Sequence, residues 1–288
     1  MADIGPVWGT NILGHMTVML QQFSELVSDS PKEGTVIKSI GYGDHPRQVF
    51  DVYQPLVMSA RPAPIVMFVH GGGFVDGDKD CTSEVYSNVL WYFARHGIVG
   101  VNVEFRLAPE FKYPSGTQDI AAAIAKVRSC AELWGGDSER IYLMGHSAGA
   151  THAAHYAGDR RFHPEEGSGL AGLVIVSGRV RVENGPENPN ASRIEAYYGT
   201  NTQTMIEGSP VTHITASDTP VMIAVAEYEN PLIDLHCAEM FHGLTLANRR
   251  APRFIWMAGH NHASIIAHFN TAEDTLGRQI LDFIRYGR

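Results

Sequence analysis

Gly145-His146-Ser147-Ala148-Gly149 sets a serine between two glycines, directly after the apolar run RIYLMG (140–145) and ahead of the small-residue run 148–154. Strand, sharp turn, helix is the setting in which a strained turn lifts a serine hydroxyl clear of a sheet, and glycines flank it because strand and helix nearly collide there. A second glycine cluster, His70-Gly71-Gly72-Gly73, follows the run PIVMFV (64–69). Consecutive glycines let main-chain N–H groups face a cavity and donate to a developing oxyanion, with the N–H after the serine as a further donor. Gly72, Gly73 and Ala148 are therefore the candidate oxyanion donors and Ser147 the candidate nucleophile. Nucleotide binding fits the glycines poorly. Gly71 to Gly77 is spaced G-x-G-x-x-x-G, and the run Gly72 to Lys79 ends in Gly-Asp-Lys where a P-loop needs Gly-Lys-Ser/Thr.

A serine hydroxyl is a poor nucleophile near neutral pH; it needs a base, and the base needs a carboxylate to orient it. Two histidines stand together in Gly259-His260-Asn261-His262-Ala263-Ser264, and the stretch Glu227-Tyr228-Glu229-Asn230-Pro231-Leu232-Ile233-Asp234 supplies carboxylates. The other reading of His-x-His is a metal pair, which lacks an H-E-x-x-H and an acidic third ligand close in sequence. His152 and His155, three apart, read as packed or surface histidines.

These residues must be placed by a framework, and the chain alternates short β-branched runs with longer amphipathic stretches, the pattern of β-α-β units around a mostly parallel sheet. TVIKSI (35–40) and QVFDVY (48–53) alternate like an initial antiparallel pair. PIVMFV, IVGVNV (98–103), RIYLMG, LAGLVIVS (170–177), PVMIAVAEY (220–228) and RFIWMAG (253–259) are near-continuous apolar runs, as strands covered on both faces require. Helices are predicted over 82–96, 117–134, 148–158, 232–248 and 271–286. In the last, Leu276, Ile280, Leu281, Phe283 and Ile284 fall on one face. The first 27 residues read as an amphipathic helix carrying Ile12, Met16, Met19, Leu20 and Phe23 with Trp8 ahead of it, and 179–218 as a long polar excursion; either could roof a pocket.

Composition narrows the partners. With 288 residues, 44% apolar and 18% charged, the chain suits one large core and is neither disordered nor a coiled coil. A net charge of −9 argues against binding a phosphate backbone. No basic segment precedes the first apolar residues and no apolar stretch of about 18 residues occurs, so a soluble, cytoplasmic chain without membrane contact is expected. Cys81, Cys130 and Cys237 lack paired spacing and are expected to be buried, reduced thiols. An exposed C-terminal helix or edge strand could join copies into a homo-oligomer.

Four motifs in order, His70-Gly71-Gly72-Gly73-Phe74, Phe105-Arg106-Leu107-Ala108-Pro109-Glu110, Gly135-Gly136-Asp137 and Gly145-His146-Ser147-Ala148-Gly149, resemble those of α/β-hydrolases of the hormone-sensitive-lipase and carboxylesterase type. The kynurenine-formamidase branch shares them in part. The resemblance spans roughly 35–288 and implies an α/β fold, a mostly parallel sheet of about eight strands with helices on both faces, residues 1–34 forming a short cap and 179–218 crossing the site. It implies the chain order serine, acid, histidine. His262 is similar to the family histidine that precedes a helix start, leaving His260 as a pocket-lining or structural residue. The lipase-like acid pattern, Asp-Pro-Leu followed closely by another Asp, has Asn230 in its first position here; the formamidase-like pattern Gly-Glu-x-Asp-x-Pro places Glu229 on the acid. Asp234 is the alternative acid, or else faces solvent. Asp119 resembles a position that ties a loop to a helix. Phe74, Met19, Phe23 and Tyr198, with Met16 and Tyr197, are expected to line an apolar acyl or alcohol pocket or to belong to the core.

The function so implied is hydrolysis of a small, relatively apolar carboxylic ester through an acyl-enzyme, with no metal or organic cofactor required. An arylformamidase, amidase or carbamate hydrolase would use the same residues, and a non-catalytic ligand-binding protein on the same fold is the reading from a different class.

Overall fold

The computed structural model describes residues 1–287. Eight strands, β1 (Gly34–Gly41), β2 (Val49–Pro55), β3 (Ala63–Val69), β4 (Val99–Val103), β5 (Gly136–His146), β6 (Gly172–Val176), β7 (Val221–Tyr228) and β8 (Arg253–Asn261), form one sheet in the order β1-β2-β4-β3-β5-β6-β7-β8. β2 runs antiparallel to β1 and to β4; the remaining neighbours are parallel. Helices are α1 (Ile12–Val27), α2 (Ser87–Arg95), α3 (Ser115–Cys130), α4 (Ala148–Gly158), α5 (Ala191–Tyr198), α6 (Thr202–Glu207), α7 (Ile233–Asn248), α8 (Ser264–Ala267) and α9 (Thr275–Tyr286).

The continuous apolar runs follow from burial on both faces. Along β3, Val66 and Phe68 enter one core with residues of α1, α2, α8 and α9, whereas Ile65, Met67 and Val69 enter a second with α3, α4 and α7. Strand period two distributes one run between two cores. The same division splits β7, with Met222, Ala224 and Ala226 on the first face and Ile223 and Val225 on the second. All five apolar residues picked out on the last helix are buried in α9.

Strand order also says where a site must lie. β3 sits between β4 and β5, and the next helices, α2 and α4, cover opposite faces. The chain therefore leaves β3 and β5 in opposite directions and opens a crevice beyond their C-terminal ends, the switch point where ligands of open α/β sheets bind. Val69 pairs with Gly145 at that end, so the triple-glycine loop and the serine turn emerge side by side.

Three local expectations differ from what is observed. Residues 82–86 form a turn rather than the start of α2: Thr82 Oγ1 accepts from the N–H groups of Glu84 and Val85, and Tyr86 takes a left-handed φ of 78°. Cys81 in consequence is exposed and Cys130 half-buried; of the three free thiols only Cys237 is buried. The 179–218 excursion is not irregular throughout, since α5 and α6 lie within it and Ile194, Tyr197, Tyr198 and Met205 form a satellite core with Phe74, Ala108, Ala148 and Val182. No helix among the described residues is long and apolar enough to cross a membrane.

Candidate active site

Ser147 caps the junction of β5 and α4 with φ 55° and ψ −122°, a conformation that costs a non-glycine residue of order 1–3 kcal/mol. Its flanks show why the turn has its sequence. A Cβ on Gly145 would lie 2.4 Å from the Gly149 carbonyl oxygen, and one on Gly149 would lie 2.2 Å from the Val69 and 2.3 Å from the His70 carbonyl oxygen. Backbone cannot yield at those separations, so α4 approaches β3 and β5 only through glycine.

The hydroxyl of Ser147 lies 3.0 Å from His262 Nε2, and His262 Nδ1 lies 2.7 Å from Glu229 Oε2. His262 follows the last residue of β8, where Asn261 Oδ1 accepts from the N–H groups of Ala263 and Ser264 and so caps α8. The N–H of His262 donates to the Tyr228 carbonyl, tying the turn to β7. Glu229 is placed just past the end of β7, and its side chain is 3% exposed. Burial disfavours its charge, but the neighbouring His262, a short hydrogen bond from the Ser177 hydroxyl and the Ala226 N–H outweigh that and hold the carboxyl below its usual range. The Asn230 N–H is a fourth donor, at 3.2 Å from Oε2. Asp234, by contrast, sits exposed in the first turn of α7 and caps its own helix by accepting from the Leu235 N–H at 2.9 Å.

Gly72 and Gly73 adopt φ of 129° and 60°, and a Cβ on Gly72 would lie 1.9 Å from the Asp76 carbonyl oxygen. Among the described residues, the N–H groups of Gly72, Gly73 and Ala148 donate to no protein acceptor. Three main-chain donors left free beside one serine are what a site built for an oxyanion leaves open. The loop is held from two sides. His70 Nε2 is 2.8 Å from Glu104 Oε1, a carboxylate that also accepts from Arg47 and from the Lys79 N–H. Arg193 of α5 donates to the Gly72 carbonyl at 3.1 Å and pairs with Asp76.

Several contributors escaped the sequence reading. The His262 carbonyl accepts at 2.9 Å from His146 Nε2, which must then carry the proton, so His146 Nδ1 accepts from the Tyr86 hydroxyl at 3.2 Å. Tyr86 in turn accepts from the Gly71 N–H, and this chain links the glycine loop to the histidine turn. Burial, then the adjacent His262, holds His146 well below the ordinary imidazole range, so it stays neutral. Trp8, 2% exposed, donates from Nε1 to Asn230 Oδ1 at 2.9 Å, bringing the N-terminal segment to the acid loop. Ser177 was the most legible of these, a lone polar residue closing an apolar run.

The residues expected to line a pocket separate into two groups. Phe74 stacks on Tyr197 with centroids 5.2 Å apart and meets Tyr198 edge-on, in the cluster that includes Ala148. Met19 and Phe23 are packed in the core shared by α1, α2 and α8, and Met19 Sδ accepts from Asn261 Nδ2 at 3.2 Å. Asp119 grips the Arg106 guanidinium and N–H and also accepts from Gln48, tying the loop after β4 to α3. His152 and His155 are both buried; desolvation brings the first down to about 3 and the second to about 4. His260 is buried beside His268, with ring centroids 4.7 Å apart. Two cavities, of about 730 and 820 Å³, open at the N-terminal ends of β6–β8, and neither is lined by Ser147, Glu229 or His262.

Likeness to known proteins agrees with this geometry. The BD-FAE family model matches residues 50–164, which include the glycine loop and Ser147 but neither Glu229 nor His262. The chain is 37% identical over 117 residues to Esterase LipC of Mycobacterium tuberculosis, covering 41% of this chain and 28% of that protein. It is 36% identical over 119 residues to the probable isoprenylcysteine alpha-carbonyl methylesterase ICMEL1 of Arabidopsis thaliana, covering 41% and 24%. The matches thus span about a quarter of these curated relatives' length. Among solved structures, the Pyrobaculum calidifontis esterase superposes with a TM-score of 0.74 at 22% identity over 94% of this chain and 91% of that one. Esterase B of Lactobacillus rhamnosis, inhibited by a tributyrin phosphonate, does so with 0.77 at 18% identity over 94% of each. Strand order, the glycine-flanked serine turn and near full-length superposition on these structures show that the chain has the α/β-hydrolase fold.

Proposed function

We propose that the chain is a serine hydrolase that cleaves a small, relatively apolar carboxylic ester through an acyl-enzyme. The observation that carries this reading is the hydrogen-bonded line from Ser147 through His262 to Glu229, set beside three unpaired main-chain donors. Glu229 keeps the proton of neutral His262 on Nδ1, which leaves the Nε2 lone pair facing the serine. His262 accepts the hydroxyl proton as Ser147 Oγ attacks the carbonyl carbon, and the negative charge that moves onto the carbonyl oxygen is met by the N–H groups of Gly72, Gly73 and Ala148. Collapse of the tetrahedral intermediate breaks the ester C–O bond, and the imidazolium returns its proton to the departing alkoxide, releasing the alcohol. Water then repeats the sequence on the acyl-serine and releases the carboxylic acid. None of these steps calls for a cofactor.

The names of the relatives, esterases and methylesterases, support an ester as substrate. The aromatic cluster of Phe74, Tyr197 and Tyr198 beside Ala148 supports an apolar acyl or alcohol group. A second reading, hydrolysis of an aryl formamide, is favoured by the spacing of Glu227, Glu229 and Pro231, which resembles the formamidase-like Glu-x-Asp-x-Pro with a glutamate in the acid position. Nitrophenyl esters of increasing acyl length, assayed beside formanilides and carbamates of matched aryl group, separate the two. Esters with short acyl chains are expected to turn over fastest. An organophosphate should label wild type stoichiometrically and leave Ser147→Ala unlabelled; absence of both labelling and turnover in folded wild type would leave a binding protein as the better account.

A further inference from the structure

His260, His268 and Glu273 bring two imidazole nitrogens and one carboxylate oxygen together beside the histidine turn: His268 Nε2 lies 3.1 Å and His260 Nε2 3.5 Å from the same Glu273 Oε2, with all three atoms within 4.8 Å of one another. His268 is 1% exposed, and its Nδ1 lies 2.9 Å from the Ser264 carbonyl oxygen, which can only accept. The proton of the neutral ring is therefore on Nδ1, which leaves a lone pair on Nε2. Despite the short separation, His268 Nε2 and Glu273 Oε2 have no hydrogen-bond partner, because the directions are wrong for one. Two acceptor atoms this close, neither with a donor, leave a need that a cation faced by both would meet.

From this arrangement we infer a divalent-cation site of zinc type, with His260, His268 and Glu273 as ligands. Zinc bound tetrahedrally by nitrogen and oxygen at about 2.0–2.1 Å has ligand-to-ligand edges of about 3.3–3.4 Å, and the two edges given above bracket that length. A solvent molecule completes the fourth position, reached past the Glu273 side chain, which is 40% exposed. A second cluster, His155, Asp159 and His213, shows what a satisfied set looks like. There the Glu207 carbonyl faces both ring Nε2 atoms, at 3.0 and 2.6 Å, so both carry protons and neither has a lone pair for an ion, and Arg161 pairs with the Asp159 carboxylate. An acidic partner for His260 is thus supplied by Glu273, in the segment between α8 and α9. A cation there clamps the end of β8, the end of α8 and the approach to α9, and so braces the turn that carries His262.

The test uses untagged chain stripped with chelator, titrated with Zn²⁺ by calorimetry and with Co²⁺ by visible absorption. One equivalent of Zn²⁺ is expected to bind at micromolar strength or tighter, Co²⁺ to give the intense visible bands of a tetrahedral site, and Zn²⁺ to raise the melting temperature. His268→Gln and Glu273→Gln should each weaken binding at least tenfold. Glu273→Gln, at a partly exposed side chain, carries the test should His268→Gln fail to fold. No stoichiometric uptake by folded wild type, or uptake unchanged by Glu273→Gln, overturns the assignment.

Discussion

Replacing Glu229 by glutamine separates the two candidate acids, and the structure sets the size of the effect. Four donors converge on the carboxylate: Ser177 Oγ and the Ala226 N–H on Oε1, His262 Nδ1 and the Asn230 N–H on Oε2. An amide has one oxygen. If its NH₂ takes the Oε2 position, it donates to Nδ1, forces the imidazole proton onto Nε2 and removes the lone pair that Ser147 needs. If it takes the Oε1 position, the Ala226 N–H faces another donor, as the Asn230 N–H does in the first orientation, so either costs about 1–3 kcal/mol for the unmet group. In either orientation the charge that stabilises imidazolium is gone. The expected result is a fall in kcat of about 10³–10⁴, or roughly 4–5.5 kcal/mol in the barrier, with KM nearly unchanged because the carboxylate does not face the substrate. Asp234→Asn, at an exposed helix start, should leave both parameters within about twofold. Steady-state kinetics with a nitrophenyl ester, on variants shown by circular dichroism to be folded, decides it. A Glu229→Gln enzyme within tenfold of wild type, or an Asp234→Asn enzyme without activity, would refute the assignment.

Other consequences are equally open to measurement. Gly149→Ala should give no soluble folded protein, since its methyl would meet two main-chain oxygens of β3 and its loop; a variant of wild-type melting temperature would contradict the close approach. Trp8→Phe keeps most of the packing but strands Asn230 Oδ1, and urea unfolding should report a loss of about 1–3 kcal/mol, with less than 0.5 counting against the bond. Stability should fall as pH drops. His146, His152 and His155 are held neutral by burial, so below about pH 6 the unfolded chain takes up protons the native one refuses, each histidine costing about 1.4 kcal/mol per pH unit. Asp51, Glu104 and Glu229 act in the same sense lower down: their native values are depressed, so the stability they contribute is intact above the ordinary carboxylate range and is lost as pH falls through it. Denaturant midpoints flat between pH 7 and 5 would contradict the histidine part.

The framework was legible because its signals are local. All eight strands lie within the apolar or alternating runs or within a few residues of them, since a strand covered on both faces must be apolar throughout. The serine turn was legible for a similar reason: steric exclusion at Gly145 and Gly149 writes itself into adjacent positions. Choosing Glu229 over Asp234 needed resemblance, because what distinguishes them is the set of donors that folding brings to one carboxylate. Ser177, Tyr86 and His146 were opaque on the same ground, their partners lying 52, 60 and 116 positions away. The start of α2 was misjudged because Tyr86 leaves helical geometry to reach Gly71, a demand set by a distant loop. That Glu273 stands beside His260 was opaque as well, because the chain reaches it only after α8 has turned.

The bond from Trp8 to Asn230 joins positions 222 apart, and it has a bearing on how the molecule is made. A contact of such span closes a very large loop, so the entropy of bringing its ends together must be met by structure already formed between them. On the ribosome the indole emerges early and has no place to dock until β7 and the turn beyond it have been synthesised. An apolar side chain thus stays uncovered through most of translation, and the loop bearing Glu229 acquires this brace last. Nascent chains halted before residue 229 would hold the serine turn and the glycine loop, yet have neither the acid nor the histidine to activate them.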